Sequence, residues 1–143
     1  MSADIGVYWP GCTSEEEYGH YGFDNDTTSW ANWIVEAVST ESVRSAVIEL
    51  GCEALLSHTT EGVSDADVEW TTPDALVAAA RRMAAFIANK DPRTRAILAA
   101  YRKGVIGEDP PDVEIDRDLR DVMLLGKYAK EHGARTMTIS VKW

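Results

Sequence analysis

Glu15, Glu16 and Glu17 run directly into Tyr18, and Tyr21, Asp24 and Asp26 follow within a few residues. Carboxylates at this density attract a cationic surface and speed its encounter. Tyrosines among them supply the amphipathic rings that anchor protein interfaces. Aromatic faces also hold cations, at roughly 0.5–2 kcal/mol each. No Lys or Arg interrupts residues 1–43. These seven residues are the candidate binding residues, and the partner they suit is a basic protein.

Other constellations carry less. Asp24-x-Asp26-x-Thr28 opens like a calcium loop, but Ser29 and Val35 stand where glycine and the late glutamate are needed. An acidic cluster ahead of a helix explains it better. Asp65, Asp67 and Glu69 alternate along an expected strand, where acids mark a solvent face that resists edge-to-edge pairing. Cys12, Cys52, His20 and His58 lack the local pairs of a structural zinc site. A Cys–His nucleophile pair has no supporting motif. His132 suits a helix C-terminus, where a cation favours the dipole. Gly104-Val-Ile-Gly107 has neither the phosphate-loop nor the dinucleotide spacing, and G-x-S-x-G and H-E-x-x-H do not occur. The sequence assigns no catalytic residue, no cofactor and no metal.

The acidic stretch belongs to a larger asymmetry. Residues 1–70 hold fourteen acids against Arg44 alone, whereas residues 71–143 hold ten acids against thirteen Lys and Arg. The formal net charge of −10 argues against direct nucleic-acid binding and against anionic membranes. The cluster Arg81, Arg82, Lys90, Arg93, Arg95, Arg102 and Lys103 suits either neutralisation of the acidic half within the fold or a face turned to solvent. No apolar run reaches the roughly 20 residues of a membrane span, and the start lacks a signal-peptide pattern. Two cysteines do not make a disulfide framework, and a cytoplasmic location is expected.

These side chains must be positioned by one domain, 1–143. Ile5, Val7 and Trp9 alternate with Gly6 and Tyr8, a first strand over 3–9. Residues 10–27 form a long irregular segment, the kind of loop that is functional or mobile. Trp30, Trp33, Ile34, Ala37 and Val38 share one helical face. After Thr40 a second helix turns Val43, Ala46, Val47 and Leu50 inward and stops at Gly51. Residues 53–59 and 65–70 read as a hairpin about Glu61-Gly62, with Ala66, Val68 and Trp70 inward. Thr72-Pro73-Asp74 starts a helix carrying Leu76, Met83 and Ile87. Asp91-Pro92 starts another that closes at Gly104. A Pro-rich loop, 108–112, precedes a long helix from about Glu114 to His132, with Leu119 and Val122 inward. A last strand over 135–143 alternates Met137, Ile139, Val141 and Trp143 against Thr138, Ser140 and Lys142.

The expected class is α+β: a small, largely antiparallel sheet of about four strands with about five helices, the N- and C-terminal strands in the same sheet. The expected function is that of a non-enzymatic acidic binding protein, an inhibitor of the immunity or antitoxin kind engaging a toxin or nuclease. One alternative is a small enzyme or ligand-binding domain with a pocket near the 10–27 loop, using His20, His58 and Asp67. Another is a structural subunit assembling through its charge asymmetry.

Overall fold

The computed structural model describes residues 4–18, 30, 33–35, 40–104 and 110–142. Strands β1 (Asp4–Tyr8), β2 (His58–Thr60) and β3 (Thr138–Lys142) form one mixed sheet in the order β1-β3-β2. β1 pairs β3 antiparallel, Asp4 opposite Lys142 and Tyr8 opposite Thr138, whereas β2 pairs β3 parallel. The helices are α1 (Ser14–Tyr18), α2 (Glu41–Glu49), α3 (Pro73–Ala88), α4 (Arg95–Gly104) and α5 (Pro111–Glu131). Trp30 and Trp33–Val35 are helical as well. None of the described helices is long and apolar enough to cross a membrane.

The α+β class holds, and the two terminal strands are neighbours in one sheet, as their alternation requires. The sheet is mixed, with three strands among the described residues, not largely antiparallel with four. The expected hairpin is absent. After α2 the chain makes a 3-10 turn, Glu53–Leu56, and extends only at β2, which pairs with β3. Residues 65–67 make a second 3-10 turn, because the Ser64 side chain accepts a hydrogen bond from Ala66 N (3.3 Å) and caps it. Val68 is buried, Ala66 exposed and Trp70 half-buried. The chain rejoins the sheet at one antiparallel bridge, Thr71 to Met137.

Local chemistry sets the helix ends. Thr72 Oγ1 accepts from Ala75 N (3.1 Å), and Pro73 follows as the first helical residue of α3. α5 begins at Pro111, inside the expected loop, since proline suits the first helical turn. α2 ends with Cys52 N donating to Val47 O and Gly51 N to Ile48 O, a Schellman pair with Gly51 at φ 70°. α5 ends the same way at Gly133. Val47, Leu50, Leu76, Met83, Ile87, Leu119, Val122 and Ile139 are all buried, as their stripes require. Trp30, Trp33 and Ile34 are core residues too; Ala37, Val38 and Trp143 lie outside the described residues. Both cysteines are free thiols.

The two sheet faces differ. Register puts Ile5, Val7, Ile139 and Val141 on one side, all buried in the core with α5. Gly6, Tyr8, Thr138 and Ser140 lie on the other, with Thr59 beside Ser140. That second face is polar, yet Thr59, Thr138 and Ser140 are also buried.

Candidate functional site

What covers the polar face is the site. Ser140 Oγ donates to Glu17 Oε1 (2.9 Å), which lays α1 over the middle strand. Ser57 Oγ donates to Glu69 O (2.6 Å) and lies 3.1 Å from Thr138 Oγ1, which draws the 68–71 stretch onto the same face. Beside α1, where the 61–63 turn leaves β2, lies a cleft of about 350 Å³ lined by Tyr8, Glu17, Thr59, Glu61, Ser140 and Lys142, among others.

The acids of α1 do different things. Glu16 closes a capping box: Thr13 N donates to Glu16 Oε1 (2.9 Å) and Glu16 N donates to Thr13 Oγ1 (3.1 Å). Glu17 is committed to Ser140. Glu15 is exposed and makes no described side-chain hydrogen bond. Tyr18 ends α1. Tyr21, Asp24 and Asp26, like His20, lie outside the described residues. Neutralising Glu16 therefore removes a cap, at about 1 kcal/mol, and Glu17 likewise has a structural partner in Ser140.

Sequence reasoning missed the second half of this surface. Tyr8 Oη donates to Asp65 Oδ1 (2.7 Å), and its ring stacks on Trp70 at 5.8 Å and 27°. The hydrogen bond to Asp65, then burial, then nearby negative charge including Glu17, push the Tyr8 phenol up to about 12. Burial raises the Cys12 thiol, the Trp9 backbone bond opposes this, and the charges of Glu17, Glu16 and Asp65 add to the rise. Acids from α1 and from the 65–67 turn thus act on the same two side chains. Glu61, Asp67 and Glu69 are exposed on the same chain segment. A strand reading of 65–70 hid this, since it sent Trp70 to the core.

Of the polar groups named for an enzymatic pocket, the two described ones, His58 and Asp67, lie in different settings. His58 sits level with Ile139, on the sheet face opposite Ser140, with Nδ1 3.1 Å from Leu56 O. Asp67 is on the exposed turn. His132 Nδ1 lies 2.9 Å from Tyr128 O at the end of α5, its ring 4.1 Å from that of Tyr128 and 5.9 Å from that of Trp9. The basic cluster is dispersed: Arg93 pairs with Asp91 (2.9 Å), and among the described residues none of the cluster makes an ion pair with the acidic half. A second unforeseen set is Glu114, Asp118 and Asp121, buried on one face of α5 and each engaged in polar or electrostatic contacts. Their i, i+4, i+7 spacing was legible in the sequence as a helix face. Among the described residues no cluster of three or more His, Cys, Asp or Glu is arranged to hold a metal ion.

Comparison of the chain with protein-family models, with curated proteins and with solved structures gives no match.

Proposed function

We propose that this chain is a non-enzymatic binding protein that engages a basic protein partner through an acidic face centred on Tyr8 and Trp70. One observation carries the reading. Carboxylates from two distant segments, Glu17 of α1 and Asp65 of the 65–67 turn, act on Tyr8, whose ring stacks on Trp70. Such a face attracts a Lys- and Arg-rich surface over long range and offers flat rings to hold it. Inhibitors of basic toxins and nucleases, of the immunity or antitoxin kind, work by this logic. The proposal also takes in Tyr21, Asp24 and Asp26, the binding residues expected from the sequence.

The polar cleft favours a second reading, a small-ligand site between α1 and the sheet. Its hydroxyls from Tyr8, Thr59 and Ser140 point to a polar ligand.

The test starts with capture of the partner at low salt and continues with binding kinetics. The substitutions Glu15→Gln, Glu61→Gln, Asp67→Asn and Glu69→Gln remove charge without touching the capping box, the Ser140 bond or the Tyr8 bond. Association should slow by about tenfold or more at low salt. The difference should vanish as the screening length falls from about 10 Å at 0.1 M to about 3 Å at 1 M. Trp70→Ala should act on dissociation instead. Unchanged association in the four-fold variant would defeat the acidic-face reading and leave the cleft.

A further inference from the structure

A separate cleft of about 470 Å³ opens between α2 and α3, within the range of about 300–1,000 Å³ that small-ligand sites occupy. Four charged side chains line it: Arg44 and Arg82, Glu53 and Glu69. We propose that this cleft binds a zwitterionic ligand of peptide character, its carboxylate held by Arg44 and Arg82, its cationic group by Glu53 and Glu69. The cleft shares Glu69 and Trp70 with the acidic face described above, but the inference does not depend on a basic partner binding there.

The charge arrangement is the first argument. Arg44 is the only cation in the first eighty residues, and it lies half-buried in this cleft and not in solvent. Two cations and two carboxylates share one depression, yet none of the four takes part in an ion pair among the described residues. The lining is neutral overall, so it gives no net attraction to a polyanion or to a polycation. A ligand that carries charges of both signs gains from both pairs.

The fixity of the walls is the second argument. Arg82 donates through Nη1 to Gly51 O, at the end of α2. Gly51 has φ 70°, and a Cβ built on it would lie 3.3 Å from Arg82 Nη1. The guanidinium is therefore seated against bare backbone. One of its five N–H donors is used this way, and the rest of the fork remains for a planar acceptor. Trp70 forms a wall, held in place by its stack on Tyr8. Ala75, Ala78 and Ala79 give a floor of methyl groups along one face of α3. In the proposed complex an apolar or aromatic side chain of the ligand packs against that floor and the indole. The chemistry described is that of a short peptide or its carboxyl terminus, with an aromatic and a basic residue.

The experiment uses the full chain labelled with ¹⁵N and follows the indole N–H signal of Trp70, assigned by its loss in Trp70→Phe. The probe is the dipeptide arginyl-phenylalanine, with its C-terminal amide and inorganic phosphate as comparisons. The expected result is a saturable shift with the dipeptide at millimolar concentration or below. The amide should bind at least tenfold more weakly, as should the dipeptide to Arg44→Gln. Arg82→Gln also loosens the end of α2, so the amide, which leaves the protein unaltered, is the decisive comparison. No saturable shift with the dipeptide, equal affinity for the amide, or an equal response to phosphate alone would overturn the proposal.

Discussion

Replacing Gly126 by alanine puts a methyl group where α5 lies against α3. The new Cβ would stand 2.7 Å from Val77 Cγ2 and 3.2 Å from Pro73 O. The first separation is shorter than carbon atoms tolerate, so a side chain or the helix pair must shift. The second partner is backbone at the start of α3 and yields little. Overpacking of this kind costs about 1–3 kcal/mol. Alanine in place of a mid-helix glycine returns about 1 kcal/mol of helix propensity. With both walls tight the upper half of the range applies, for a net loss of about 1–2 kcal/mol. At roughly 3 °C per kcal/mol for a domain of this size, Tm should fall by about 3–6 °C in a circular-dichroism melt. Val77→Ala removes Cγ2, so the Gly126→Ala/Val77→Ala pair should show a favourable coupling of about 1 kcal/mol. The contact with Pro73 O persists, so recovery should be incomplete. A Gly126→Ala protein that melts higher than the parent, or a strictly additive pair, would refute the close approach of these helices.

α3 ends in the same Schellman pattern as α2 and α5, with Asp91 N on Phe86 O, but Lys90 takes the left-handed position at φ 53°. A side chain there costs about 1–2 kcal/mol, partly offset by glycine's greater freedom in the unfolded chain; Lys90→Gly should raise the urea midpoint by the equivalent of about 0.5–1 kcal/mol, with the slope unchanged. The Asp91 carboxyl is held down to about 2, from an ordinary 3.8, first by the Arg93 side chain and then by the Arg93 backbone N–H. Because the folded value lies below the unfolded one, the stabilisation is complete above about pH 4 and is lost as pH falls towards 2; a carboxyl ¹³C titration of Asp91 with its midpoint near 4 would contradict this. Burial pushes the Cys52 thiol up to about 11 and also raises Cys12, which is only partly covered. Iodoacetamide at neutral pH should modify Cys12 slowly and Cys52 only after unfolding, as read by mass spectrometry.

The helices were legible because their signals are local. Thr72-Pro73-Asp74 names its own start, Gly51 and Gly133 their own ends, and the stripes through Leu76 and Leu119 their own buried faces. The end strands were legible from alternation alone. β2 was not, since its partner lies far along the chain and parallel pairing leaves no turn to read. The six residues from Asp65 to Trp70 alternate well enough for a strand, but Ser64 offers a cap and the chain takes it. That error also concealed half of the site. Tyr8, Asp65 and Trp70 meet only because the 65–67 turn folds back over the polar sheet face. Conversely, Glu16 and Glu17 stood out by composition, and their hydrogen bonds give them structural work that composition does not reveal. Thr138 and Ser140 were assigned to the polar side of β3, correctly, but that side is covered by α1.

The strand order β1-β3-β2 has a consequence for the chain as it is made. Synthesis delivers β1 first, β2 much later and β3 last, yet among the described residues β3 is the only strand that either of the others pairs with. Until residue 142 has emerged from the ribosome, both earlier strands carry unpaired edges and the polar layer of Thr59 has no neighbour. The helices can form as they appear, but the sheet must wait, and its assembly joins residues from almost opposite ends of the described chain. Such non-local closure is slow, and an open edge held waiting invites pairing with other chains. The dense negative charge that follows β1 keeps nascent copies apart during that interval.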